Sequence, residues 1–288
     1  MYIFDKNNQF VLFSGTKLDE EGDYRHLNDL FFILYLLVKY GVKRDNIYLY
    51  IDINILNYLD KITKNKMFQD DLTYREYINK HAIVVDMKYF DDFKRDYEKD
   101  LIFFSSGHGN IEGISNGKLD SYITPCFFEN IASDNKNTFL FLTQCFAGAF
   151  HHLDTRKNIC VIGASEYQNS VSLPIKKYNL VKNSQEIEEK FSFYENIAIN
   201  PFIYIFFIKI LTLDSINRDK KHLLNIYKYV VSGTLELVKQ DIRFVLNIKE
   251  IRKDTIEITL PYKMIQQPYL LNKIKASEIY LEDNNDEI

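Results

Sequence analysis

Hydrophobic positions along the chain fall into two patterns. Short unbroken apolar runs recur at residues 9–14, 46–51, 82–85, 101–104, 138–142 and 158–162. Such runs predict strands buried on both faces of a parallel sheet. Between them, apolar residues return at helical spacing. Leu27, Leu30, Phe31, Leu34, Leu37 and Val38 predict an amphipathic helix over 25–40, closed by Gly41. Further helices are predicted near 73–79, over 89–99, from Thr124-Pro125 to about Ser133, and from Ala147 to about Leu153. Asn116-Gly117, within 114–119, predicts a hairpin. Strands alternating with helices require parallel crossovers, right-handed by rule, and so an α/β fold.

The last third reads differently. A polar stretch over 176–190 precedes helix-like runs at 200–213 and 222–239. Residues 244–248 and 255–260 read as two strands, a candidate hairpin, before a frayed acidic tail. The expected division is a core over 1–175 and a C-terminal extension of helices and a β-hairpin over 176–288, packed on that core.

Composition narrows the function classes. Apolar residues make up 46% of the chain, enough for a sizeable core, and the net charge of −4 gives no basic footprint for nucleic acid. The three cysteines, Cys126, Cys145 and Cys160, lack framework spacing. That favours a reducing, cytoplasmic setting over a disulfide scaffold. The first residues show no basic segment followed by an apolar one, so no signal peptide is expected. The longest apolar run, Pro201–Leu211, is shorter than the ~20 residues a bilayer span needs. A buried helix is favoured there over a membrane-binding or partner-binding segment.

Two of the apolar runs end in reactive residues. The 101–104 run exits into Ser105-Ser106-Gly107-His108-Gly109, and the 138–142 run into Thr143-Gln144-Cys145-Phe146-Ala147-Gly148. Sites in open α/β sheets form beyond the carboxyl ends of strands. Neighbouring strands would therefore bring a thiol and an imidazole to one rim, a nucleophile and its base. The N–H groups of Gly109 and Cys145 are candidate oxyanion donors. Alone, a cysteine after an apolar strand is more often a small buried hydrophobe, and His-Gly more often a turn. Both at strand exits are more persuasive than either. His151-His152 with Cys145 does not make a zinc site, because closed sites draw ligands from separated pairs. No metal or cofactor is expected.

The Ser-Gly-His-Gly and Gln-Cys-Phe-Ala-Gly exits resemble the caspase–legumain superfamily of cysteine peptidases (clan CD). The legumain branch is further resembled at residues 11–15, at Tyr24-Arg25-His26-Leu27-Asn28-Asp29, and over 41–52. The resemblance covers residues 9–172. It implies a three-layer α/β/α fold with a mostly parallel central sheet, and a cysteine endopeptidase acting on protein or peptide substrates through a His108/Cys145 dyad. It also implies that Arg25 lies at the base of the first specificity pocket. Thr143 stands where legumains carry a carboxylate, so cleavage after Asp or Asn is expected. The exit loop containing Ser165 and Ser170 would pair with the substrate backbone as an added strand. A transpeptidase using the same acyl-enzyme, or a dormant caspase-like adaptor, are the alternatives. Residues 180–288 are also a candidate platform for a regulatory partner.

Overall fold

A computed structural model describes residues 3–16, 24–56, 72–118, 121–153, 158–164, 173–174, 198–211 and 269–272. In chain order the elements are β1 (Gln9–Gly15), α1 (Tyr24–Lys39), β2 (Ile47–Ile51), α2 (Tyr74–His81), β3 (Ile83–Asp86) and β4 (Leu101–Gly107). Next come β5 (Gly109–Asn110), β6 (Gly113–Ser115), β7 (Tyr122–Ile123), α3 (Pro125–Ile131), β8 (Thr138–Leu142) and β9 (Ile159–Gly163). The last are β10 (Leu173–Pro174), β11 (Ala198–Ile199), α4 (Pro201–Leu211) and β12 (Tyr269–Asn272).

The central sheet has the order β12-β9-β8-β4-β1-β2-β3. All neighbours are parallel except β12, which runs antiparallel to β9. The chain starts in the middle at β1, steps outward through β2 and β3, then returns to β4 and steps outward the other way. Crossovers of one hand in two opposite directions put the connecting elements on opposite faces. Two apolar cores match that expectation. Phe10, Leu12, Phe104 and Phe141 face α1, α2 and α4. Val11, Phe13, Phe103 and Leu140 face Phe90, Phe128 and Phe150 on the other side. Successive β1 residues thus feed alternate cores, as the strand period of two demands. Each fully buried Phe or Leu contributes roughly 1.5–3 kcal/mol, so both layers are strongly pinned to the sheet.

Local signals set most boundaries. α1 ends at Gly41, whose φ of 71° suits glycine; Gly41 N–H bonds to Val38 and Val42 N–H to Leu37, the paired bonds of a Schellman closure. α2 begins in a capping box between Thr73 and Glu76. α3 begins at Pro125, but Thr124 makes no side-chain cap bond. The Asn116-Gly117 turn lies between β6 and β7, with Gly117 at φ 75°.

The helix expected over 89–99 does not form. A 3-10 turn occupies Met87–Asp92, capped by Asp86, and the chain then runs irregularly. Tertiary partners take the hydrogen bonds a helix would use. Asp96 N–H donates to Gln9 Oε1, and Gln9 Nε2 donates to the Lys94 carbonyl. Arg95 donates to the carbonyls of Ile131 and Asn137 and to Thr138 Oγ1.

The described parts of 176–288 are integral to the core. β12 closes the sheet beside β9, and α4 packs on α1 with Phe202, Ile203, Tyr204, Ile205 and Phe206 buried. The expected helix at 222–239 and strands at 244–260 lie outside the described residues. Among the described residues, no helix is long and apolar enough to cross a membrane.

Candidate active site

The sheet reverses its winding between β1 and β4, the position at which sites of open α/β sheets form beyond the strand ends. Gly15 at the tip of β1 pairs with Gly107 at the tip of β4. A Cβ on Gly107, which has φ 145°, would lie 2.7 Å from the Gly15 nitrogen. Only two glycines allow these tips to abut so closely.

His108 and Cys145 leave neighbouring strands at the same level. β4 and β8 are parallel, with Ser105 opposite Leu142. His108 follows Ser105 by three residues (108 − 105) and Cys145 follows Leu142 by three (145 − 142). Both are partly buried. The two exits touch at Gly109: a Cβ there would lie 2.8 Å from the Cys145 carbonyl oxygen and 2.5 Å from Gln144 Cγ. Ser115 N–H donates to the His108 carbonyl, so Gly109 and Ile114 face each other as a non-hydrogen-bonded pair. The Gly109 N–H therefore turns away from β6.

Cys145 sits in a turn, not at the start of an α-helix. Phe146 takes a left-handed conformation (φ 55°, ψ 31°), and a 3-10 turn follows over Ala147–His152. The helix expected there is thus short and tight, and lends the thiolate little dipole. Phe146 is the only non-glycine residue with positive φ among those described. The conformation costs about 1–2 kcal/mol, held by burial of Ala147 and Phe150 beneath it.

The other cysteines have different surroundings. Cys160 lies inside β9, fully buried, and burial pushes its thiol up to about 12. Cys126 is exposed in α3.

Beside Cys145 lies a buried polar layer. Thr143 donates its hydroxyl to the Ser105 carbonyl at 2.8 Å, and its N–H goes to the same oxygen. Its hydroxyl proton is therefore committed to the sheet rather than offered to a substrate. Ser105 Oγ donates to Gln144 Oε1 at 2.7 Å. Gln144 Nε2, buried, has no hydrogen-bond partner among the described residues.

Arg25 and His26 open α1 on the opposite wall. Arg25 Nε donates to His26 Nε2 at 3.2 Å. The His26 ring meets His108 edge-on, with centroids 5.4 Å apart and planes at 70°. His26 Nδ1 lies 3.1 Å from Ser106 Oγ, and Ser106 Oγ donates to Asp29 Oδ2 at 2.6 Å. Asn200 N–H donates to Asp29 Oδ1 at 2.8 Å. Asp29 is 1% exposed and His26 8%. Burial raises the Asp29 carboxyl to about 7, against the pull of its Ser106 and Asn200 hydrogen bonds. Burial lowers His26 well below the ordinary histidine value, helped by the nearby Arg25 and His108 charges.

The structure thus brings His108, Gly109 and Cys145 together across one strand pair, with Arg25 linked to His108 through His26. Ser165 and Ser170 lie outside the described residues. Sequence reasoning gave a role to Arg25 alone in its motif; it named His26, Asp29 and Ser106 within motifs but gave them no role, and it did not single out Asn200. The signal for two of them was present: His26 and Asp29 are spaced i, i+3, on one helix face. Nothing local marked Asn200 as their partner. No protein-family model matches the chain, and no curated protein matches it.

Proposed function

We propose that this chain is a cysteine endopeptidase of the caspase–legumain type, cutting peptide bonds after Asp or Asn. The observation that carries the reading is the common level of the His108 and Cys145 exits on adjacent parallel strands, with Gly109 against the Cys145 backbone. His108 takes the Cys145 proton, and the thiolate attacks the scissile carbonyl carbon. The N–H groups of Gly109 and Cys145 hold the resulting oxyanion. His108 returns the proton to the leaving amine, which departs and leaves a thioester. A water, deprotonated by His108, then opens the thioester and frees Cys145. Arg25 gives the first pocket a permanent positive charge, and Thr143 adds no negative one, which suits an acidic or amide side chain.

The test is incubation of wild type and Cys145→Ala with a peptide library, reading cut sites by mass spectrometry. Cleavage after Asp or Asn by the wild type alone is expected. Cutting only after Lys or Arg rules out the pocket assignment. Product joined to an added labelled amine would indicate transpeptidation. A folded wild type that neither cuts peptides nor reacts at Cys145 with iodoacetamide would instead fit a dormant adaptor.

A further inference from the structure

The buried polar chain behind His108 has a direction, and Arg25 sets it. A guanidinium Nε always carries its proton, so His26 Nε2 must accept. Neutral His26 then bears its one ring proton on Nδ1, which donates to Ser106 Oγ. Above about pH 7, where Asp29 is ionised, the Ser106 proton in turn goes to Asp29 Oδ2. Asp29 Oδ1 is held by the Asn200 N–H. Both nitrogens of His26 are thereby used, and its ring is fixed in one tautomer and one orientation. That ring lies edge-on against His108.

The geometry points to His26 as a positioning residue for the base His108, held by a Ser106–Asp29 relay and joined by Arg25 to the first specificity pocket. His26 is not itself a proton acceptor, since its basic nitrogen is spent on Arg25. Ser106, two residues before His108, is equally constrained: its oxygen accepts from α1 and its proton returns to α1. The relay therefore crosses the switch between β1 and β4, tying the helix that bears Arg25 to the strand that bears His108. A substrate side chain drawing on Arg25 acts on the same residue that orients the base.

This inference rests on the peptidase reading of His108, and the experiment keeps the two apart. Nitrogen-15 spectra of histidine side chains in the whole chain, at pH 8, should show His26 as the neutral Nδ1–H tautomer. Arg25→Ala should lose that tautomer preference, because the Arg25 Nε–H sets it, while Ser106→Ala should keep the Nδ1 proton but leave it without its acceptor. With a peptide that the wild type cuts, Ser106→Ala should lower kcat about 10-fold or more and leave KM within about two-fold. Ser106→Thr, which keeps the hydroxyl, should restore most of the loss. Asp29→Asn, whose amide nitrogen cannot accept the Ser106 proton and so breaks the relay, should reproduce the kcat loss should Ser106→Ala fold poorly. An Nε2–H tautomer at His26, or unchanged kcat in Ser106→Ala and Asp29→Asn with an active wild type, overturns the relay alone. A wild type that cuts nothing overturns the peptidase reading, and the catalytic role of the relay with it.

Discussion

Gly109 is the residue on which the site's closeness depends. An added methyl would meet the Cys145 and Gly113 carbonyl oxygens at 2.8 and 3.0 Å, and these backbone atoms are not free to swing aside. Gly109→Ala should push the two exits apart at a cost of about 1–3 kcal/mol. Under the proposed peptidase mechanism it should also displace an oxyanion donor, lowering kcat/KM about 100-fold or more. Steady-state kinetics beside a thermal melt checks this; unchanged kcat/KM would exclude the Gly109 N–H from the chemistry. The residue's importance was legible in the sequence, because a glycine after a strand-end histidine is a familiar economy of space. Its contact with Cys145 was not, since that needs strands far apart in the chain to pair. His26 and Asp29 show the same limit. Their spacing on α1 was readable, but their partners come from β4 and from the start of α4.

At the scale of elements, Asn200 joins three pieces of the molecule. Its side-chain oxygen caps α4 by accepting from Phe202 N–H, and its Nδ2 donates to the Thr143 carbonyl at 3.4 Å. Its own N–H reaches Asp29 in α1. Asn200→Ala should remove the cap and the Thr143 bond while leaving the backbone bond to Asp29. The expected loss is about 1–2 kcal/mol from the cap, read by urea denaturation, with lowered activity because the loop before Cys145 is less well held. Asn before Pro at the start of an apolar run is a recognisable helix start. The same pattern cannot say that the helix docks against α1. The surface helix expected over 89–99 errs in the opposite sense. Its periodic Phe90, Phe93 and Tyr97 suited a helix, but Asp96 bonds to Gln9 and Arg95 to Thr138 at the starts of β1 and β8, and the 3-10 turn wins.

For the whole molecule, the buried Asp29 and His26 bend the pH dependence of stability in opposite directions. Asp29 holds its proton in the fold up to about pH 7 but releases it near 3.8 when unfolded. The folded state then binds the extra proton, so this carboxyl makes stability fall as pH rises through that window. His26 stays neutral in the fold below 6.5, where the unfolded chain takes up a proton, so it makes stability rise with pH. Each slope is about 1.4 kcal/mol per pH unit. They oppose each other below about pH 6.5, over the range in which His26 stays neutral in the fold and Asp29 keeps its proton. Asp29→Asn should therefore gain stability with rising pH relative to wild type over that range, and His26→Phe should lose it. Urea midpoints across a pH series measure both, and parallel curves for all three proteins would refute the assignment.

The chain's own pattern determined the alternation of buried strands and helices, the two strand exits bearing His108 and Cys145, and the glycines that keep those exits uncrowded. These are local properties: a run of apolar residues must be covered wherever it goes, and a glycine permits what a side chain forbids. Tertiary structure decided which strands became neighbours, how the last third closes the sheet through β12 and covers α1 through α4, and which way the protons run from Arg25 to Asp29. Those depend on atoms brought together from distant parts of the chain, and no window of sequence contains them.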